Sequence, residues 1–237
     1  MNADPRSDAP PPRPLPGFRR VPRTGVIYVM HRAAAQGYRS DDPTWVNLGQ
    51  GSPETGPLPG APPRIDRLEL TSRQHGYGPV AGTLRLRQTV ADLYNDLYRR
   101  DRSSRYRAEN VCIAGGGRAA MTRIIASMAE VNLGHLIPDY TAYEELLGAF
   151  KGFVPIPILL SRRNGYRASA DELREEILGR GLSAMLCSNP SNPTGQVVEG
   201  EALGQWIEVA RRCRATFILD EFYSHFVYTE GAQALPG

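Results

Sequence analysis

The sequence contains almost no lysine. Lys151 is the single lysine among its 28 basic residues. It lies in "GAFKGF", between a predicted helix and a predicted strand, which is typical of a solvated surface lysine. Chemistry that needs a lysine amine therefore has one poor candidate in this chain. The arginines are scattered and the net charge is only +3, so the charge does not indicate nucleic-acid binding.

Cysteines, long apolar runs and metal-binding patterns are scarce as well. The cysteines, Cys112, Cys187 and Cys213, are far apart and fit neither a disulfide framework nor a metal spacing, so we expect a cytoplasmic protein. No stretch reaches the roughly 18 apolar residues of a membrane span. The N-terminus, "MNADPRSDAPPPRPLPGF", lacks the apolar core of a signal peptide. The histidines share no metal spacing, and no metal site is predicted.

The chain changes from an irregular N-terminal part to a regular alternation of elements. Residues 1–20 form a Pro-rich tail that is expected to be disordered. Residues 21–63 are predicted to hold a helix over 24–38 and a Gly- and Pro-rich arm over 45–63. Residues 64–237 are predicted to form one larger domain, which begins with a long amphipathic helix within 78–100.

From residue 110 onwards, short apolar strands alternate with helices. The predicted strands cover 110–115, 135–140, 153–160, 183–189 and 216–223, and the predicted helices cover 118–131, 142–150, 169–180 and 200–213. Prolines in 153–160 favour an edge strand. Ser169 is a predicted N-cap, and Leu203, Ile207 and Ala210 fall on one face of the last helix. The alternation predicts an α/β fold with a mostly parallel sheet and helices on both faces.

Ligands of such sheets bind at the carboxyl ends of the strands, and four predicted strands end in unusual residues. The stretch "AGGGRAAM" (114–121) places glycines before a helix, where free amides and the helix dipole suit a phosphate. The same pattern also fits a tight connection. Tyr140, in "PDYTAY", could stack on a flat cofactor ring or pack under a loop.

The other two strand ends carry amides and carboxylates. In "CSNPSNPTGQ" (187–196), Asn192 is placed to point into the same cleft, and one Asn-Pro bond is predicted to be cis, with Asn192-Pro193 favoured. In "LDEFYSH" (219–225), a buried Asp220 would need a cation or hydrogen-bond donors. Asp220 and Tyr223 come close only if the strand breaks after Glu221.

In combination these motifs resemble the PLP-dependent aminotransferases of fold type I, the class I/II family. "NPSNPTG" followed by "DEFY" carries most of the resemblance. "NLGQGSP" (47–53), "YGPVAGTLRLR" (77–87), "GGGR" and "PDYTAY" match in the family's order, so the resemblance covers roughly residues 21 to 237. It implies the fold type I large domain, incomplete at its C-terminus, with pyridoxal 5'-phosphate as cofactor.

The resemblance implies a role for each strand-end residue. Asp220 would keep the pyridine nitrogen protonated, and Asn192 and Tyr223 would donate to the cofactor's O3′. Tyr140 would stack on the ring. Asp220 and Tyr223 are thus the predicted catalytic residues.

The remaining roles concern the phosphate and the substrate. The amides of Gly116, Gly117 and Arg118 would hold the phosphate. Tyr77 would reach the phosphate of a neighbouring subunit, which implies a homodimer with shared sites. Gly51 would lie against the substrate carboxylate.

The sequence departs from the family at the Schiff-base lysine. In the family this residue lies about 25 to 40 residues beyond the DE-x-Y segment, whereas this chain stops at Gly237. The arginines that bind the phosphate and the substrate carboxylate would lie there too. We expect an N-terminal fragment of a longer enzyme, inactive on its own; a genuine short protein is the alternative.

The leading functional hypothesis is a PLP-dependent aminotransferase that moves an amino group between an α-amino acid and a 2-oxo acid. Two alternatives stay open. "DEFYSH" and "VPRTGVIYVMHRA" look somewhat like PLP enzymes that oxidise or cyclise arginine in natural-product pathways. A lysine-less chain could also be a non-catalytic binding protein.

Overall fold

The computed structural model describes residues 16–17, 25–53, 60, 62–148 and 152–226. The chain divides into two units, Met1–Pro63 and Arg64–Gly237. The first contains helix α1 (Gly25–Ala35), as predicted. The described residues of the predicted arm, over 45–63, form neither helix nor strand. Apart from residues 16–17, the predicted tail lies outside the described part of the chain.

The second unit alternates helices and strands. Its helices are α2 (Leu84–Tyr98), α3 (Gly117–Ala126), α4 (Ala142–Leu147), α5 (Ala170–Gly179) and α6 (Gly200–Arg212). Its strands are β1 (Val131–Ile137), β2 (Phe153–Leu159), β3 (Ala184–Ser188) and β4 (Thr216–Asp220). Short 3₁₀ turns cover Ser72–His75, Ala108–Asn110 and Arg162–Asn164.

The four strands form one sheet in the order β2-β1-β3-β4, and all three pairings are parallel. The predicted parallel α/β architecture is therefore confirmed. Strand β2 lies at an edge and carries Pro155 and Pro157, as its prolines predicted. The register sets Ser188 beside Asp220, so the last residues of β3 and β4 are level at the carboxyl edge of the sheet.

Both faces of the sheet are covered by helices. On one face, Met121 and Ile125 of α3 and Leu147 of α4 pack with Leu133 and Leu186. The other face is covered by α5 and α6, with buried contacts among Leu173, Ile177, Met185, Cys187 and Trp206. Neighbouring residues of β3 thus point to opposite cores, as the pleat of a strand requires.

Helix α5 begins as its sequence predicted. The Ser169 hydroxyl accepts a hydrogen bond from the Glu172 amide at 3.2 Å, and the Ser169 amide donates to the Glu172 carboxylate at 2.7 Å. This capping box satisfies two backbone donors that a helix N-terminus otherwise leaves without partners.

Several predictions about the elements are wrong. Residues 111–114 belong to no strand, and the Ile113 amide donates to the carbonyl of Ala81, in the loop before α2, at 2.9 Å. On α6, Ile207 is 47% exposed, while Trp206 is buried between Leu203 and Ala210. The buried face of α6 therefore consists of Leu203, Trp206 and Ala210. The strand predicted over 216–223 also ends early, at Asp220.

No helix in the described part of the chain is both long and apolar enough to cross a membrane.

Candidate active site

A cavity of about 560 Å³ opens at the carboxyl edge of the sheet. Six residues singled out from the sequence line it: Gly117, Arg118, Tyr140, Asn192, Asp220 and Tyr223. They come from the start of α3, from the loops after β1 and β3, and from the end of β4. The parallel sheet brings these ends together, because its strands all finish at the same edge.

The glycines before α3 shape one end of the cavity. Gly116 is the N-cap of α3 and has φ +103°, a conformation that side chains other than glycine's rarely adopt. A Cβ on Gly116 or Gly117 would meet no atom within 4 Å, so the space before the helix is open. The Gly116 amide itself donates to Ala114 at 2.9 Å. The donors that face an incoming anion are therefore the first-turn amides, from Gly117 onwards.

Asp220 stands at the other side of the cavity with two donors on its carboxylate. The Tyr143 hydroxyl donates to Oδ2 at 2.6 Å, and the Phe222 amide donates to Oδ1 at 3.2 Å. Tyr143 is 3% exposed. Burial, followed by the hydrogen bond to Asp220, raises the pKa of the Tyr143 phenol, so it stays protonated and keeps donating.

Sequence reasoning missed Tyr143. The signal was present in "PDYTAY", where Tyr143 follows Tyr140 by three residues at the start of α4. The two rings meet edge to face, with centroids 5.7 Å apart. Tyr143 thereby supports both the predicted stacking residue and the predicted carboxylate.

Tyr140 is held from its other side by Arg118. The Arg118 guanidinium donates to the Tyr140 hydroxyl at 3.1 Å, and its central carbon lies 5.8 Å from the ring centroid. Below the loop, His135 Nδ1 lies 2.6 Å from a carboxylate oxygen of Asp139, and both side chains are largely buried. This pair ties the loop that carries Tyr140 back to β1.

The turn after β3 is built from both Asn-Pro pairs. Asn189-Pro190 and Asn192-Pro193 are cis, which confirms the prediction at Asn192-Pro193 and adds a second cis bond. The buried Asn189 side chain donates to the Val198 carbonyl at 2.7 Å and accepts from the Val198 amide at 3.0 Å. The backbone amide of Asn192 donates to Ser188 Oγ at 3.3 Å. Asn189 thus closes the turn, and Asn192 lines the cavity.

The end of β4 separates two neighbouring acids. The strand stops at Asp220 and a turn follows, so Tyr223 lines the cavity together with Asp220. Glu221 instead accepts a hydrogen bond from the Tyr94 hydroxyl of α2 at 3.1 Å. Burial raises the pKa of Glu221 above its usual range.

Other reactive groups are poorly placed for chemistry in the cavity. Cys187 is buried, and burial followed by the charge of Asp220 raises the pKa of its thiol to about 12. The described residues contain no cluster of three or more potential metal ligands. His225, beside the predicted motif, is exposed, with its Nδ1 3.1 Å from Ser224 Oγ.

Two further predicted site residues are exposed, and Tyr77 is not among the residues that line the cavity. Tyr77 belongs to the second unit and is fully exposed. Gly51 belongs to the first unit and is also exposed. Lys151 lies outside the described residues.

Comparison with known proteins places these motifs in one family. The profile "Aminotransferase class I and II" matches residues 43–236. The chain is 26% identical over 162 residues to a protein of Aquifex aeolicus named "Probable aspartate/prephenate aminotransferase", covering 68% of this chain and 40% of that protein. It is 27% identical over 200 residues to the LL-diaminopimelate aminotransferase of Prochlorococcus marinus, covering 77% and 46%.

A solved structure gives the same fold. Aspartate aminotransferase from Thermus thermophilus, with maleate, superposes with a TM-score of 0.57 at 24% identity, over 65% of this chain and 39% of that one. The chain thus spans less than half the length of these relatives. At this identity the likeness shows the fold, while the profile shows the family.

Proposed function

The chain belongs to the class I and II aminotransferases, and from this premise we propose that it serves PLP-dependent transfer of an amino group between an α-amino acid and a 2-oxo acid. One observation carries the proposal. A single cavity is lined by features that lie far apart in sequence: the α3 N-terminus, Tyr140, Asn192 and Asp220.

The residues present fit pyridoxal 5'-phosphate. The cavity volume of about 560 Å³ falls in the range of small-ligand sites. An anion is favoured at the first-turn amides of α3, and a ring N–H is favoured at the carboxylate of Asp220. Tyr140, between them, offers an aromatic face.

The cofactor, when bound, supplies an electron sink. Asp220 would accept a hydrogen bond from the ring nitrogen and hold the proton there. Tyr143 and the Phe222 amide would keep the Asp220 carboxylate oriented. Asn192 and Tyr223 would donate to O3′, and Gly117 and Arg118 would donate their amides to the phosphate.

The described residues would hold the cofactor, and none of them is assigned the proton transfer at the substrate. The chain's single lysine, Lys151, matches no family motif. Gly51 remains our candidate for contact with the substrate carboxylate.

We propose a homodimer in which Tyr77 reaches the partner's cofactor phosphate. Several large apolar side chains around Tyr77 in sequence are at least 63% exposed: Ile65, Leu68, Leu70 and Val80. Exposed apolar surface on this scale is typical of an interface. We further treat residues 64–237 as the cofactor-binding domain and place the protein in the cytoplasm.

Binding of pyridoxamine 5'-phosphate, which cannot react with amines, tests the proposed site. The chain should bind it, and hydrogen exchange should slow at 117–122, 140–143, 188–192 and 220–224. Asp220→Ala should weaken binding at least tenfold, since a charge-assisted hydrogen bond is worth about 1.5–3 kcal/mol. Asp171→Ala, at an exposed position of α5, is the control. Binding that leaves these segments unprotected would refute the proposed cleft.

The reaction class is tested by products. The relatives described above are aminotransferases by name, which favours transamination over oxidation or cyclisation of arginine. Protein supplied with PLP, a panel of amino acids including arginine, and a 2-oxo acid should yield a new amino acid if it turns over. Oxidised or cyclised arginine would contradict the proposal.

A further inference from the structure

A second cavity, of about 300 Å³, lies at the carboxyl edge of the sheet, on the face that α5 and α6 cover. Its lining comes from the ends of β1 and β3, from the segment between β2 and α5, and from the segment that leads into α6. Ser188 and Asn192 line both cavities, and the described linings share no other residue. The turn after β3 is therefore the wall between the two cavities.

The floor of the second cavity is apolar. It consists of side chains that are buried or half-buried beneath α6: Leu136, Cys187, Leu203, Trp206 and Leu219. An apolar floor of this kind favours the hydrocarbon part of a ligand. The volume is at the lower end of the range for small-molecule sites, so the ligand must be small.

The charges around the floor belong to Asp139, Arg167 and Glu199. Asp139 is already paired, because His135 Nδ1 lies 2.6 Å from its carboxylate. Arg167 and Glu199 are exposed and form the rim of the cavity. Arg167 uses Nε to donate to the side chain of Gln196 at 3.0 Å. Within the described chain neither rim residue forms an ion pair, so a cation and a carboxylate are both available to a ligand.

The segment that carries Arg167 is held in an uncommon conformation. Tyr166, which also lines the cavity, has φ +60°, in the left-handed region that residues other than glycine seldom adopt. Its backbone amide donates to the Ser161 carbonyl at 2.8 Å, and the Asn164 side chain donates to the Arg167 carbonyl at 2.9 Å. Such strain persists where surrounding contacts fix it, often beside ligands. A backbone fixed in advance also reduces the entropy lost on binding.

We propose that this cavity is a second binding site, separate from the cofactor site, and that its ligand is a free α-amino acid with an apolar side chain. The ligand carboxylate would bind the planar guanidinium of Arg167, whose fork matches it. The ligand ammonium would bind the carboxylate of Glu199, and the apolar side chain would occupy the floor. A purely anionic ligand would meet repulsion from Glu199, and a purely cationic one would meet repulsion from Arg167. The inference does not require that the cofactor bind.

L-Phenylalanine is the probe, and its analogues test each part of the assignment. Hydrocinnamate lacks the ammonium, phenethylamine lacks the carboxylate, and L-serine lacks the apolar side chain. Each is titrated against the full chain by calorimetry, with and without saturating pyridoxamine 5'-phosphate. L-Phenylalanine should bind under both conditions and slow hydrogen exchange at 166–168 and 196–203. Each analogue should bind about threefold or more weakly, because it loses one of the contacts.

Variants at the rim test the location. Arg167→Gln should weaken L-phenylalanine binding about threefold or more, and Arg167→Lys should recover part of the loss and serves if the glutamine variant does not fold. Ala202→Phe, at an exposed position of α6 that lines the cavity, should block binding by filling the space. Arg163→Gln, at an exposed position outside the lining, controls for net charge. Glu199→Gln should weaken binding of L-phenylalanine but not of hydrocinnamate.

No binding of L-phenylalanine to the full chain would overturn the inference and leave the proposed function intact, because binding of pyridoxamine 5'-phosphate is measured separately. Equal losses in Arg167→Gln and Arg163→Gln would overturn it as well, since they would reflect net charge alone. Competition with pyridoxamine 5'-phosphate, together with full binding to Ala202→Phe, would place the amino acid in the cofactor cavity and refute the second site. If L-phenylalanine binds but pyridoxamine 5'-phosphate does not, the proposed function alone fails.

Discussion

At the scale of residues, the central feature is a carboxylate satisfied by neutral donors. A buried or half-buried carboxylate costs free energy unless it is hydrogen-bonded. Asp220 meets this requirement through Tyr143 and the Phe222 amide, without help from a ligand. The site can therefore hold its geometry before the cofactor binds, which reduces the cost of binding.

Tyr143→Phe should weaken pyridoxamine 5'-phosphate binding several-fold and lower the free energy of unfolding by about 1–2 kcal/mol, because the carboxylate loses its shorter hydrogen bond. Fluorescence titration and urea denaturation measure the two effects. Tyr106→Phe, on a partly exposed ring outside the cavity lining, is the control. Unchanged affinity in Tyr143→Phe would show that Tyr143 does not position Asp220.

Glu221 predicts a pH dependence of stability. Burial raises the pKa of the Glu221 carboxyl in the folded protein. At low pH the carboxyl is protonated in both the folded and the unfolded states, so the free-energy penalty of burying its charge is absent there. The penalty grows as the pH rises through the unfolded pKa and levels off above the folded pKa. Glu221→Gln removes it, so the variant should gain stability relative to the unaltered chain as the pH rises above about 4, near the ordinary pKa of a glutamate.

Glu208→Gln is a control of opposite sign. Hydrogen bonds from Arg211 and Arg212 lower the pKa of Glu208 to about 2, so its contribution is present at neutral pH and lost on acidification. Denaturation across the pH range should show Glu221→Gln gaining and Glu208→Gln losing slightly as the pH rises. A pH-independent difference for Glu221→Gln would contradict the account.

At the scale of elements, the turn after β3 determines where Asn192 lies. The side chain of Asn189 satisfies both backbone groups of Val198. It donates one hydrogen bond to the Val198 carbonyl and accepts one from the Val198 backbone amide. The backbone amide of Asn189 also donates to the backbone carbonyl of Asp220 at 3.0 Å. The turn is thus attached to the same strand end that carries the candidate catalytic carboxylate.

Asn189→Ala should lower the free energy of unfolding by about 2–4 kcal/mol, because it leaves two backbone groups without partners. Asn164→Ala removes one exposed hydrogen bond, to the Arg167 carbonyl, and should change it by less than about 1 kcal/mol. Chemical denaturation compares the two variants. Equal effects would show that Asn189 does not hold the turn.

The elements also show what sequence reasoning can reach. Local signals sufficed to predict the Ser169 cap, the edge position of β2 and the glycine turn before α3, since each depends on residues that are near in sequence. Contacts between distant residues were missed. Tyr143 and Asp220 are 77 positions apart, and Tyr94 and Glu221 are 127 apart. Residues 111–114 have a strand-like composition, but composition does not specify a pairing partner.

At the scale of the whole molecule, the exposed apolar residues between Ile65 and Val80 predict assembly. Sedimentation equilibrium should show a dimer. Tyr77→Ala should weaken pyridoxamine 5'-phosphate binding without changing the dimer, because the proposed role of Tyr77 lies in the partner's site.

Mixing variants tests whether sites are shared. In a hybrid of Tyr77→Ala and Asp220→Ala subunits, one cavity receives an intact Asp220 and an intact Tyr77 from different chains. Mixing should therefore recover tight binding in up to half of the sites of each hybrid dimer. A monomer at all concentrations, or no recovery on mixing, would refute the shared site.

The contact between Asp220 and the ring nitrogen is the central claim, and one comparison tests it directly. Pyridoxamine 5'-phosphate and its 1-deaza analogue, in which carbon replaces the ring nitrogen, are titrated against the unaltered chain and Asp220→Ala. We predict that the unaltered chain prefers the natural ligand by about tenfold or more and that Asp220→Ala binds both equally. Equal affinity of the unaltered chain for the two ligands would contradict the account.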